Sequence, residues 1–257
     1  MSSDNRLYTI TFGDQAENHK GMQIIGNIVD AGKGYNLDDM KEIMIKCNDL
    51  DIEYELFDLV ELSGLDNNGI QPAYVLVIRN GLNKIGLSAS DLFNEQSELE
   101  YDKHAYMYGR VVNKKARWNI CFGNENQEPD YENKKGRIVK WNDVPKLLEF
   151  RNKMVDIFGN KAYNLYGEGN YYYNINKCGI GFHGDSERRK VIAIRLGASM
   201  PIHYQWYCNN EEVGNRMIIP LNNGDVYIMS EKAVGTDWKK RKIHTLRHAT
   251  GCDKYIE

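Results

Sequence analysis

Val191-Ile192-Ala193-Ile194, Ile202-His203-Tyr204-Gln205-Trp206-Tyr207, Met217-Ile218-Ile219, Asp225-Val226-Tyr227-Ile228-Met229 and Ile243-His244-Thr245-Leu246 follow one another at short intervals late in the chain. With Tyr171-Tyr172-Tyr173 before them and Lys254-Tyr255-Ile256 after, they form a series of short runs rich in Tyr, Ile and Val, parted by turn residues. Strands of this length and spacing must pair and bury one face, which a sandwich or a barrel achieves. The expected class is α+β, with a jelly-roll barrel, flanking helices and an N-terminal extension.

Outward from this stretch the texture is mixed. Leu7-Tyr-Thr-Ile-Thr-Phe12 alternates like a half-buried strand, and Ala73-Tyr-Val-Leu-Val-Ile78 suits a covered one. Asp38 suits the N-cap of a helix reaching Cys47, and Gly64-Leu-Asp-Asn-Asn-Gly69 is turn chemistry. Asp143, Pro145 and Gly159 bracket a second helix, with Leu147, Leu148, Met154, Val155 and Phe158 on one face. No repeat or linker marks a boundary. Residues 1–100 read as an N-terminal extension of mixed α/β character, and residues 101–257 as the domain that carries the site.

At 257 residues, 42% apolar and 27% charged, the chain is long enough to bury a large core and has a soluble globular composition. No apolar stretch approaches the roughly 20 residues needed to span a bilayer, and the first residues lack the apolar core of a secretory signal. No membrane partner is expected. The five cysteines are odd in number, far apart and never in a C-x-x-C pair, which argues against a zinc ribbon or a disulfide framework. An intracellular protein, cytoplasmic or nuclear, is expected. A net charge of −3 supplies no global basic field, so any nucleic-acid contact must come from a local basic strip.

The chemistry-bearing motif is Gly181-Phe182-His183-Gly184-Asp185. On extended backbone, residues i and i+2 point to the same side, so His183 and Asp185 offer an imidazole and a carboxylate together. A histidine from a distant strand would complete a 2-His-1-carboxylate set, the ligand pattern of non-haem iron(II) with open positions. His244 and His248 both qualify. His248 is favoured because, if Ala249-Thr250-Gly251 is a hairpin loop, Lys254 then stands where it can reach an iron-bound acid. His203 reads as a packed strand residue.

Three stretches resemble the AlkB-like branch of the iron(II)/2-oxoglutarate dioxygenases. Tyr171-Tyr-Tyr173 leading into His183-Gly-Asp185 is similar to the family's Asn-x-Tyr segment, although Tyr171 replaces the asparagine. Val191-Ile-Ala-Ile-Arg-Leu-Gly-Ala198 resembles the strand after H-x-D, and Leu221-Asn-Asn-Gly-Asp-Val-Tyr-Ile-Met229 the strand before the distal histidine. Gly109–Trp118 is loosely similar to the nucleotide-recognition lid. The family's distal arginine pair has no room after His248. The resemblance implies a double-stranded β-helix that binds Fe(II) through His183, Asp185 and His248 and uses 2-oxoglutarate and O2. It also implies oxidative hydroxylation or demethylation, most readily of a modified nucleobase in DNA or RNA.

For the 2-oxoglutarate carboxylate, Lys254 is the first candidate, with Arg195 and Arg247 behind it; Arg195 is a charge inside an apolar strand and needs a partner. Tyr173 would add a hydroxyl. Lys114, Arg117 and Trp118 combine phosphate-pairing charge with a stacking ring and are the candidate substrate contacts. A protein side-chain hydroxylase of the same superfamily and a non-catalytic β-barrel binding module are the alternatives.

Overall fold

A computed structural model describes residues 5–257. In chain order it has β1 (Leu7–Gly13), β2 (Gln15–Glu17), β3 (Ile24–Gly26), α1 (Leu37–Asp49), β4 (Tyr54–Asp58), β5 (Tyr74–Ile78), α2 (Gly81–Lys84) and α3 (Ala89–Ser97). There follow β6 (His104–Met107), β7 (Arg110–Asn113), β8 (Trp118–Gly123), β9 (Ile138–Lys140), α4 (Pro145–Phe158), β10 (Tyr166–Tyr172) and β11 (Gly179–His183). The chain finishes with β12 (Val191–Gly197), β13 (Ile202–Cys208), β14 (Glu211–Ile219), β15 (Val226–Met229), α5 (Glu231–Val234), β16 (Thr245–Gly251) and α6 (Asp253–Ile256).

Eight strands form one sheet in the order β4-β5-β15-β12-β1-β10-β8-β9, and four form another in the order β11-β16-β13-β14. Alternation decides what each face does. Ile192, Ile194, Val226 and Ile228 point to one side of the large sheet, where they pack with Met40, Leu92, Leu147 and Phe150 of the helices. Val191, Ala193, Tyr227 and Met229 point to the other side and meet Ile202, Tyr204, Trp206 and Leu246 of the small sheet. The Trp206 indole N–H, fully buried, donates to the Leu59 carbonyl at 2.8 Å. The fold is thus α+β and mainly β, with a sandwich-like pairing of two sheets. Among the described residues the strands do not close into one hydrogen-bonded barrel.

Two strands of the expected N-terminal extension belong to this core. β1 lies in the middle of the large sheet, paired with β10 on one side and β12 on the other, and β5 pairs with β15. Alternation showed that Leu7–Phe12 was a strand, but pairing across some 160 residues of chain leaves no local trace.

The expected helix of residues 145–158 is present, with Pro145 in its first turn and Gly159 at its C-cap. Its N-cap is Val144 instead of Asp143; Phe150 joins Leu147, Met154 and Phe158 on the buried face, with Leu148 and Val155 half-buried. The first helix is capped by Asn36, reciprocally with Asp39, and not by Asp38.

Near the C-terminus the expected hairpin is absent. Ala249-Thr250-Gly251 continues strand β16, and Lys254-Tyr255-Ile256 lies in the short helix α6. Strand β16 is held on both sides, by β11 and β13, and that pairing carries it straight through the glycine.

Candidate metal centre

The antiparallel pair β11–β16 sets His183 directly opposite His248, with an irregularity between Ile180 and His183. The two imidazole rings are 4.5 Å apart, centre to centre. Asp185 follows just past the strand end, its N–H bonded to the Val234 carbonyl at 3.0 Å. Gly184 between them is required by close approach: a Cβ there would stand 2.2 Å from the Gly235 carbonyl oxygen and 2.8 Å from Trp238.

One ligand atom from each of His183, Asp185 and His248 falls within a 4.8 Å cluster. Asp185 Oδ1 is 3.5 Å from His183 Nε2 and 3.7 Å from His248 Nε2. Ligands about 2.1 Å from one ion, at tetrahedral or octahedral angles, are separated by roughly 3 to 3.5 Å, so the three atoms are close to a coordination spacing. His183 Nδ1 stands 2.8 Å from the Gly181 carbonyl. That bond requires a proton on Nδ1 and turns Nε2 towards Asp185. Burial, then the charges of His183 and Arg188, hold the His248 pKa well below the ordinary imidazole value, so this ring is neutral and able to donate a lone pair.

Arg188 stands beside the carboxylate. Its Nε lies 3.6 Å from Asp185 Oδ2, while its Nη2 bonds Glu187 at 2.8 Å and makes a very short contact with Glu168. Burial alone would raise the Glu168 pKa, but the Arg188 guanidinium keeps it below the usual carboxylate value. Changing Arg188→Met strands a buried anion, so we expect a stability loss of about 3–5 kcal/mol in chemical denaturation, partly recovered by adding Glu168→Gln.

The three groups line a cavity of about 630 Å³ whose wall includes Thr9, Thr11, Glu168, Asn170 and Tyr172 from β1 and β10. The face of the large sheet that is apolar at β12 and β15 turns polar here. Arg195 also lines the cavity, from β12. It is only 1% exposed, and its Nε and Nη1 have no hydrogen-bond partner. Its guanidinium carbon lies 5.7 Å from the Tyr227 ring, and no carboxylate pairs with it among the described residues. The buried Tyr204 hydroxyl and Thr9 Oγ1 likewise have no partner. Buried polar groups normally find partners, so this unsatisfied set beside a cavity fits a polar, anionic ligand.

Other expected site residues lie elsewhere. Lys254 is exposed on α6 and does not line the cavity. Tyr173 follows β10 and faces away, its hydroxyl donating to the Lys115 carbonyl at 2.7 Å and its ring stacked on Trp118; alternation turns Tyr172 inward instead. His244 precedes β16 and is not in the cluster, and buried His203 stands apart from it on β13.

Of the substrate candidates, Arg117 reaches the cavity and donates to Asn170 Oδ1 at 2.6 Å. Trp118 packs with the helix-side core. Lys114 is buried and donates to Asn18 Oδ1 at 2.9 Å. Burial lowers its pKa from 10.5 to about 8. The folded chain thus releases this proton earlier than the unfolded chain, and stability rises as pH goes from 8 to 10.5. The rise should be on the order of 3 kcal/mol, and Lys114→Met should remove it from a denaturation series across that pH range. The lid-like segment is the exposed hairpin β6–β7, turning at Tyr108-Gly109 with both residues at positive φ.

Sequence reading missed Arg188, Glu168, Asn170 and Tyr172. Arg188 had a local signal, three residues past Asp185 in a charged run; the β10 residues had only strand alternation.

No family model matches the chain. An uncharacterized protein of Acanthamoeba polyphaga mimivirus is 52% identical over 258 residues, covering 100% of both chains. The chain belongs to the family of that viral protein. The relative's description names no activity, so the family carries no chemistry over to this chain. Among the described residues, no helix is long and apolar enough to cross a membrane.

Proposed function

We propose that this chain is an iron(II)- and 2-oxoglutarate-dependent oxygenase of double-stranded β-helix type, acting by hydroxylation or demethylation on a modified nucleobase. The observation that carries the reading is two imidazoles and one carboxylate oxygen converging in the same cavity as a buried arginine that no carboxylate pairs with. His183, Asp185 and His248 would hold the ion through one face, leaving the cavity side open for an acid and O2. When bound, iron(II) would supply the activation of O2 that hydroxylates a C–H bond, with 2-oxoglutarate as the two-electron reductant converted to succinate and CO2.

The chain's own part is positional. Arg188 sets a guanidinium beside the Asp185 carboxylate, and the Gly181 carbonyl accepts from His183 Nδ1. Arg195 would receive the distal carboxylate of the acid, with the Tyr204 hydroxyl as a further donor. Thr9, Thr11, Asn170 and Arg117 would present hydrogen-bonding groups to a flat polar substrate. The five unpaired thiols support an intracellular setting, cytoplasmic or nuclear.

Anaerobic titration of the full chain with iron(II) and 2-oxoglutarate tests the chemistry. A weak visible charge-transfer band is expected, and its absence points to a non-catalytic binding module. Succinate release should then rise with methylated oligonucleotides. Stimulation by peptide pools alone would make it a protein side-chain hydroxylase.

A further inference from the structure

Trp238 is followed by four consecutive basic residues, Lys239-Lys240-Arg241-Lys242. All four are exposed, and the acid beside them in sequence, Asp237, is taken by Lys232 at 2.8 Å. None of the four forms an ion pair among the described residues. The run reaches the metal cavity, because Trp238 and Lys239 form part of its wall together with Lys20 from the β2–β3 connection.

Three cations gather on the Trp238 indole: Lys20 Nζ at 5.4 Å, Lys239 Nζ at 5.5 Å and the Arg247 guanidinium at 5.3 Å from the ring centre. The indole is held in place by its N–H donating to Ser186 Oγ at 2.9 Å. Arg247 also covers the Tyr207 ring at 3.9 Å. Each cation–ring contact returns only about 0.5–1 kcal/mol at an exposed site, while like charges this close repel one another. No carboxylate pairs with Lys239–Lys242 among the described residues, so the strip is a local excess of positive charge on a chain whose net charge is −3.

We infer that the Trp238–Lys242 strip, with Lys20 and Arg247, is the surface that holds a single-stranded nucleic acid at the mouth of the cavity. A run of cations calls for a partner with anions in series, and interleaved aromatic faces call for planar groups to stack on them; a single strand supplies both. An acidic peptide lacks the planar groups. A membrane surface is usually met by an amphipathic helix, and residues 239–244 form none. Delivery of a base into the cavity rests on the oxygenase reading; strand binding does not.

Fluorescence anisotropy of the full chain with a labelled, unmodified 20-nucleotide strand tests the inference, in chelator and without any 2-oxo acid. If all four cations touch phosphate, affinity should fall about fifty-fold between 50 and 200 mM monovalent salt. The combined variant Lys239→Gln, Lys240→Gln, Arg241→Gln, Lys242→Gln should bind at least about tenfold more weakly, with a salt slope shallower by about 2.8. Lys41→Gln with Lys84→Gln, on exposed helix positions, should change neither.

Should the fourfold variant lose thermal stability, Lys240→Gln and Lys242→Gln singly decide, each lowering the slope by about 0.7. Unchanged affinity and slope in the variants overturns the proposal, as does binding to phosphatidylserine vesicles with none to the strand. Strand binding retained without the iron charge-transfer band sinks the oxygenase reading and leaves this one standing. The reverse pair of results does the opposite.

Discussion

Asp185→Ala is expected to lower iron(II) affinity by more than about 100-fold, because even partners one shell out from a metal are worth 10- to 100-fold. Asp185 Oδ1 is the atom that both Nε2 nitrogens face, at 3.5 and 3.7 Å, so removing it leaves two imidazoles with no shared anion. The effect is separable from misfolding. Arg188 keeps Glu168 and Glu187 as partners in the variant, so the buried cation is not stranded. A ligand present at 100 times its Kd stabilises a fold by about 2.7 kcal/mol. Thermal melts of the wild-type chain should therefore rise by several degrees with iron(II) or a redox-inert divalent ion, and melts of Asp185→Ala should not. An equal rise in both proteins would show that the ion binds elsewhere.

Arg195→Met should have two effects that diverge. Charged hydrogen bonds contribute about 1.5–3 kcal/mol each, so removing the guanidinium should weaken 2-oxoglutarate binding by roughly 100-fold or more. Without ligand, the same change should leave the thermal midpoint level or raise it. Arg195 is 1% exposed, with Nε and Nη1 unpartnered, and replacing an uncompensated buried charge by an apolar side chain of similar length removes a desolvation cost. A structural arginine would behave oppositely, destabilising on removal. Isothermal titration of the iron-loaded protein, paired with melts of the unliganded protein, reads both effects. A variant that melts much lower and still binds the acid would remove Arg195 from the site.

Much of this was local and therefore legible. The i, i+2 spacing of His183 and Asp185 is a property of extended backbone, and Arg195 announced itself as a charge within an apolar run. Strand texture after Asn170 was equally plain. Reach was not legible. Lys254 has a suitable charge and spacing, but α6 carries it into solvent, while alternation exchanges Tyr173 for Tyr172 at the cavity wall. The Lys239–Lys242 run stands in the sequence, but that Trp238 and Lys239 enter the cavity wall does not.

The amino-acid sequence by itself determined the strand and helix segments, the mainly β texture of the second half and the paired imidazole and carboxylate. These follow from periodicities of two or 3.6 residues that each segment carries within itself. Tertiary structure alone decided that β1 enters the centre of the large sheet, that His248 and not His244 faces His183, and that Glu168 and Arg188 meet behind Asp185. Those outcomes depend on register between strands far apart in the chain, where a shift of one residue turns every side chain to the opposite face.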